Sequence, residues 1–398
     1  MHARGADAAG RGRSMSPPAD PLWGDFAPTR EAALSRLSAF DPGAYARTRN
    51  HLDGTVSRLS PYITHGMVSV PEVWAAVSER YRLDTTHRFA IELGWREYFH
   101  HAWRHDGEAI FQSLHPGPLP DAVYRNALPD DVIEARTGVP VVDHAVRELI
   151  RTGWLHNHSR LWLASYLVHV RKIHWRVGAD WMVGHLLDGD LASNHLSWQW
   201  VAGTGSSKPY LFNAENVARF APRAWHSARS VLDASYEALD ALARTPPGPA
   251  DGSVRTGRHP HPTGLYSEPP FDFSWGDTNE LEGAWLVHPW ALAPAPPGRR
   301  AVGVLVAAFH RRWPWSERRW RFVLAAMQRL TGDVVWCEAP PPRSAQTLAN
   351  LHLGDWLPDG VGRAAARLYA DPEQRCRSFS AFWKRVAPGK PARDSSPS

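Results

Sequence analysis

The stretch TGVPVVDHAVRELIRTGWLHNHSR, Thr137 to Arg160, decides the class of fold. Pro140 suits a first helical turn, where a missing N–H costs nothing, and it opens a helix to about Arg151. Gly153 ends that helix at the position where a left-handed backbone favours glycine. Two more helices are expected close behind, over about 156–172 and about 179–187, followed by an acidic turn at 188–194 and another short helix. Working backwards, Thr85 or Thr86 can cap a helix over about 87–104. Ser69 and Glu72 form a capping box around Pro71, opening a helix through Trp74 and Val77. Thr29 can cap one through Ala32, Leu34 and Leu37. No alternating strand pattern interrupts about 23–244, which reads as an all-α domain.

The text then changes. Residues 245–283 are rich in Pro, Gly and His, with Pro246-Pro247-Gly248-Pro249 and His259-Pro260-His261-Pro262, and read as a linker. Short apolar runs at 284–287, 302–307 and 333–336, with a helix over about 316–330 between the last two, predict a βαβ unit inside a small α/β domain at 284–388. Residues 1–22 and 389–398 read as disordered. The expected fold is therefore mainly α, a helical bundle followed by a small α/β domain. At 398 residues the chain is long enough for two cores.

Composition narrows the setting. Hydrophobic residues make up 43% and charged residues 21%, ordinary for a globular protein, whereas 20 Trp and a net charge of +5 are not. The positive balance permits a nucleic-acid partner without requiring one. Two cysteines, Cys337 and Cys376, exclude a disulfide scaffold and a four-cysteine iron–sulfur cluster, which points to a reducing compartment. With no apolar leader and no membrane-length run, a cytoplasmic protein is expected.

Four segments gather residue types that chemistry uses. Thr55-Val56-Ser57-Arg58-Leu59-Ser60-Pro61 brings hydroxyls and backbone amides to a helix start, which favours an anion but also reads as an ordinary cap. Glu92, Trp95, Arg96 and Phe99 fall on one helix face. That face suits a flat heterocycle, and equally a surface ion pair beside buried aromatics. Asn157, Arg160 and Ala164 share another face, the alanine leaving room beside the polar pair. Asp188-Gly189-Asp190 and Asn194 precede Trp198-Gln199-Trp200, without the ligand spacing of an EF-hand. His101 and His105 stand four apart with no third ligand in sight, so no metal is expected. Hydrolase, Walker and Rossmann motifs are missing.

Taken in order, SRLSPYITHG, ELGWREYF, the opening stretch and DGDLASNHLSWQWVAGTG resemble the FAD-binding domain of photolyases and cryptochromes over about 25–225. The resemblance implies a helical bundle holding FAD in a folded conformation. It assigns the phosphates to Tyr45, Ser57, Leu59 and Ser60, and the next part of the pocket to Phe89, Glu92 and Arg96. Asn157, Arg160, Asp188 and Asp190 are assigned to the ribityl chain, ring and adenine. Asn194 is assigned to the flavin's reactive edge. It further implies a lesion pocket of Glu92, Trp95, Asn157 and Trp200, which with Asn194 are the catalytic candidates. DNA contacts fall to Trp95, His158, Leu161 and Trp200. An electron-transfer chain through Trp198 and Trp175 is implied, with Tyr124 as candidate third member.

The activity implied is light-driven repair of damaged DNA by a monomeric flavoprotein that splits UV pyrimidine lesions by electron transfer from excited reduced FAD. The alternative is a cryptochrome-like blue-light sensor without repair. Two departures stand out in the pocket. His158 replaces the family's usual Arg and Leu161 its usual Met, and a protonatable His158 predicts lesion affinity that rises as pH falls. The resemblance begins at about residue 25, so the family's N-terminal antenna domain is not expected in this chain. Phe309 to Phe322, FHRRWPWSERRWRF, interleaves basic and aromatic residues as nucleic-acid surfaces do. It reads equally as an amphipathic helix packing its Trp and exposing its Arg.

Overall fold

Backbone hydrogen-bonding groups left over at each helix start explain much of the local architecture, because the side chain just before the helix must satisfy them. The computed structural model describes residues 25–248, 264–270, 274–275 and 278–387. The disorder expected for 1–22 and 389–398 lies outside the described residues. Thr29 caps Arg30–Ala39, and the Ser69–Glu72 capping box opens Val70–Tyr81. Pro140–Thr152 ends at Gly153, whose φ is 66°.

Three helices begin differently from expectation. Arg88–Asp106, Asn157–Ser165 and Trp175–His185 are capped by His87, His156 and His174. Each ring Nδ1 accepts from the N–H two residues on at 3.2 Å. A neutral imidazole nitrogen is an acceptor and can stand in for an Asn or Ser oxygen. Thr85 and Thr86 therefore lie outside the helix they were expected to cap. The third helix starts at Trp175, four residues before the reading placed it. Asn157–Ser165 continues through a π turn, Tyr166–Val170.

The carboxyl-terminal part is built on a four-stranded parallel sheet in the order Ser274–Trp275, Val334–Cys337, Ala301–Val306, Trp285–Val287. Val304 pairs with Val335 and Leu286 with Val302. The Glu317–Leu330 helix crosses between two of these strands, as the βαβ reading requires. Within the stretch read as linker, Leu265–Tyr266 pairs antiparallel with Trp315–Ser316, and Ser274–Trp275 extends the sheet. Pro and Gly density concealed these two-residue strands.

The helical part keeps a core of its own, which includes Val141, Leu149, Trp162, Trp181 and Phe212, but a second core is shared between the two parts. One apolar cluster runs from Phe26, Leu59, Tyr62 and Val183 to Leu286, Val304, Trp320 and Phe322. A second contact lies at the other end of the chain. The Phe379–Val386 helix packs on Arg88–Asp106, with Tyr98, Phe382 and Trp383 in one cluster. Gly94 makes this approach possible, since a Cβ there would lie 2.0 Å from the Trp383 ring. Gly94→Ala is expected to lower stability by about 1–3 kcal/mol through overpacking, measurable as a reduced urea midpoint with unchanged slope.

Burial also fixes how the fold responds to acid. It pushes His156 down to about 3, and His158, His169, His185 and His288 to about 4. These folded-state values lie below the ordinary value near 6.5. The neutral rings therefore contribute fully above about pH 6.5, and stability is lost as pH falls from there towards 4. Each such group steepens the loss by up to about 1.4 kcal/mol per pH unit. Melting temperature should drop between pH 6.5 and 5, and His158→Phe should make the drop shallower. Equal slopes in both proteins would refute the buried neutral ring.

Candidate functional site

Helices Arg88–Asp106, Asn157–Ser165 and Leu191–Ala202 line two adjoining cavities of ≈ 320 and ≈ 340 Å³, and Met182 of Trp175–His185 joins the wall of the first. Glu92, Trp95, Phe99, Asn157, Leu161 and Ser197 face both. The first cavity also takes Tyr45, Ser57, Ser60, Phe89, Arg96, Arg160, Asp188, Asp190, Asn194 and Trp198. Residues from six sequence segments thus meet where the resemblance put the cofactor. Leu59 does not join them: its side chain is fully buried in the core, and only its N–H is turned to the Ser57 Oγ, 3.4 Å away.

The acidic turn is the polar centre of the first cavity. Arg160 Nη2 donates to Asp188 Oδ2 at 2.7 Å. Asp190 Oδ2 caps the Leu191–Ala202 helix by accepting from the Ser193 N–H at 2.9 Å. Its other oxygen lies 2.9 Å from His100 Nε2, and Arg96 Nη1 stands 3.6 Å from the carboxylate. Burial works against ionisation of Asp190, but His100 and Arg96 outweigh it and hold the carboxyl well below the usual range. Glu92 is 3.1 Å from Arg49 Nη1. Burial pushes its carboxyl up, opposed by Arg49 and Arg88. Asn194 Nδ2 donates to Ala179 O at 2.9 Å, which leaves its Oδ1 as the acceptor at the cavity wall.

The second cavity holds the expected Trp95, Trp200, Glu92, Asn157 and Leu161, together with residues that sequence reasoning missed. Arg375, Arg377, Ser378 and Phe379 come from the carboxyl-terminal segment. Phe379 stacks on Trp95 with ring centres 4.0 Å apart and planes at 10°. One face of Trp95 is therefore already covered. Nothing in the text around Trp95 signals a partner nearly three hundred residues away.

Other expectations resolve against the structure. His158 faces neither cavity. It is 4% exposed, stacked between Phe220 at 5.3 Å and Trp162 at 5.5 Å, and neutral through the range where an exposed imidazole titrates. Its burial removes it as a DNA contact and removes the pH dependence expected of it. In the stretch Phe309 to Phe322, Trp313, Trp315 and Trp320 are buried. Arg311, Arg312 and Arg321 pair with Glu338, Glu108 and Glu317, so the packing reading accounts for this segment. His101 and His105 do gain a third neighbour, Asp371. Both His101 nitrogens are already used, Nδ1 with Asp371 Oδ1 and Nε2 accepting from the Cys376 N–H. The cluster is a clasp between the Arg88–Asp106 helix and the carboxyl-terminal segment.

Trp198 borders the first cavity and lies against Gly178, three residues beyond Trp175. Trp175 contacts His174 at 5.8 Å, and His174 contacts the half-buried Tyr124 at 6.2 Å. Trp175 and Tyr124 are thus linked through the His174 ring, and Trp198 approaches the same helix at Gly178. Among the described residues no helix is long and apolar enough to cross a membrane.

The lining fits FAD on its own chemistry. Asp188 Oδ1 is buried with no hydrogen-bond partner, a cost a protein seldom leaves unmet unless a ligand donor meets it. Arg96 brings a positive charge to the lining, and Ser57 and Ser60 bring hydroxyls, the donor types that an anionic ring and phosphate oxygens would require.

Comparison with known proteins agrees. Residues 89–226 match the family model for the FAD binding domain of DNA photolyase. A deoxyribodipyrimidine photo-lyase from Synechococcus sp. is 35% identical over 211 residues, 48% of this chain and 43% of that one. A cryptochrome DASH from Idiomarina loihiensis is 31% identical over 193 residues, 46% of this chain and 43% of its own. The crystal structure of a bacterial class III photolyase from Agrobacterium tumefaciens aligns at 26% identity and a TM-score of 0.41 over 54% of each chain. The chain spans about half the length of the relatives it matches or less. Over residues 89–226, therefore, this chain carries the FAD-binding domain of the photolyase and cryptochrome family.

Proposed function

We propose that this chain is a light-driven DNA repair flavoprotein that splits a UV pyrimidine lesion flipped into the second cavity. The observation that carries the reading is the shared wall: six side chains, Glu92 and Asn157 among them, face both cavities, so a group in one and a guest in the other would meet the same residues. When bound, reduced FAD supplies a light-energised electron to the lesion and recovers it after the ring opens. The chain's own residues orient and enclose. Trp200 offers an indole platform for an extruded base, and Leu161 an apolar wall that excludes water. Glu92, whose position Arg49 fixes at 3.1 Å, can hydrogen-bond an edge of an extruded pyrimidine. Arg377, exposed at the rim, brings positive charge where DNA phosphates would pass. Trp198, Trp175 and Tyr124 supply the route by which an electron from the surface can recharge the cofactor.

Phe379 favours the second reading, a blue-light-sensing flavoprotein without repair, because it covers a face of Trp95 that a stacked base would use. The two readings separate in one assay. DNA carrying a defined lesion is incubated with FAD-loaded protein in light and in darkness. Repair in light alone is expected. Flavin photoreduction without repair or lesion preference would assign the sensing role.

Trp200→Ala should lower lesion affinity by roughly one to two decades, since stacking is worth about 1–3 kcal/mol per base. The flavin spectrum should stay unchanged, because Trp200 faces the second cavity only. Trp198→Phe removes an easily oxidised indole and keeps the packing. It should slow photoreduction in a single-turnover absorbance trace, and a wild-type rate would exclude Trp198 from the path.

A further inference from the structure

The acidic turn is gripped from both sides. Its cavity side meets Arg160, Arg96 and His100, and its reverse side meets residues of the carboxyl-terminal α/β part. Arg319, on the Glu317–Leu330 helix, is 1% exposed. Its Nη1 donates to Val183 O at 2.7 Å and its Nη2 to Gly189 O at 2.6 Å. Trp315 lies beneath the guanidinium, 4.0 Å from ring centre to Cζ. Gly189 is matched to this contact, since a Cβ there would lie 2.3 Å from Val183 O and 2.4 Å from Arg319 Nη1. His352 adds a second hold. Its Nδ1 donates to Asn350 Oδ1, which leaves Nε2 to accept from the Leu191 N–H at 3.2 Å, and the ring stacks on Trp290 at 4.7 Å.

A guanidinium is rarely buried without a carboxylate in direct contact, and here it spends its donors on backbone carbonyls. Two donors in a rigid plane fix the distance between the end of one helix and the turn before the next. That distance sets where Asp188 and Asp190 point. Burial pushes Arg319 down to about 9, and the negative charge of Asp188 and Asp190 works the other way, so the cation and the acidic turn are also coupled through space.

We propose that Arg319 is a positioning residue for the cofactor site, and that the carboxyl-terminal α/β part serves as the backing plate that aims Asp188 and Asp190 into the first cavity. This rests on the FAD reading of that cavity. Arg319 lines neither cavity and acts through the turn alone.

The test titrates FAD into FAD-stripped full-length protein, following flavin fluorescence and the visible absorption band. Wild type is expected to bind. Arg319→Met, which keeps length and loses the donors, should weaken FAD binding by about tenfold or more, one decade being about 1.4 kcal/mol. Arg319→Lys, with one ammonium in place of a fork, should recover part of it. The bound-flavin band should lose fine structure in Arg319→Met, a change that lowered stability alone would not cause below the melting range. Gly189→Ala disturbs the same contact from the opposite side with the cation kept, and should act in the same direction if Arg319→Met does not fold. A folded Arg319→Met or Gly189→Ala with wild-type FAD affinity and spectrum would overturn the positioning role and leave the cofactor reading intact. A wild type that takes up no FAD would overturn both.

Discussion

Two carboxylates taken out of water, Asp188 at 7% exposure and Asp190 at 1%, set the terms for everything around them. An ion of that size loses several kcal/mol on burial unless opposite charge and hydrogen bonds meet it. Arg160, Arg96 and His100 meet it from the helical bundle. The remaining oxygen of Asp188 is left for a ligand, and the strongest cation on the reverse side comes from the other half of the chain. The convergence of helices on this turn is thus an electrostatic requirement as much as a packing one, and the cavity is where the requirement is left incomplete.

The helical class and most of the first cavity were legible in the text because local signals carried them. Pro140, Gly153 and the Ser69–Glu72 box mark helix ends through the backbone alone. Ordered motifs gathered Ser57, Glu92, Arg96, Asn157, Asp188 and Asn194 into one site. Part of what failed to show had non-local causes. Burial turned His158 from an exposed charge into a neutral ring in an aromatic stack, one side of which, Phe220, comes from a helix far along the chain. The histidine caps escaped because a cap preference for Asn, Asp, Ser and Thr is a statistical habit, whereas the physical need is only an acceptor.

Tryptophan content found its explanation in the joint between the halves more than in the cavities. Trp290, Trp315, Trp320 and Trp336 surround His310, with His310 4.4 Å from Trp315 and 4.3 Å from Trp320. One of these rings, Trp315, also takes the buried Arg319 guanidinium against its face. The basic and aromatic run at 309–322, which resembles a nucleic-acid surface as text, is spent on this joint.

The clasp between His101 and Cys376 closes a separation of 275 residues. On a ribosome adding about 5–20 residues per second, the Arg88–Asp106 helix leaves the exit tunnel on the order of tens of seconds before its covering segment exists. During that interval Tyr98 and the Gly94 groove have no lid. Maturation of the second cavity therefore waits on the carboxyl-terminal segment, and a nascent chain stalled short of Phe379 would display the stacking face of the Trp95 indole uncovered.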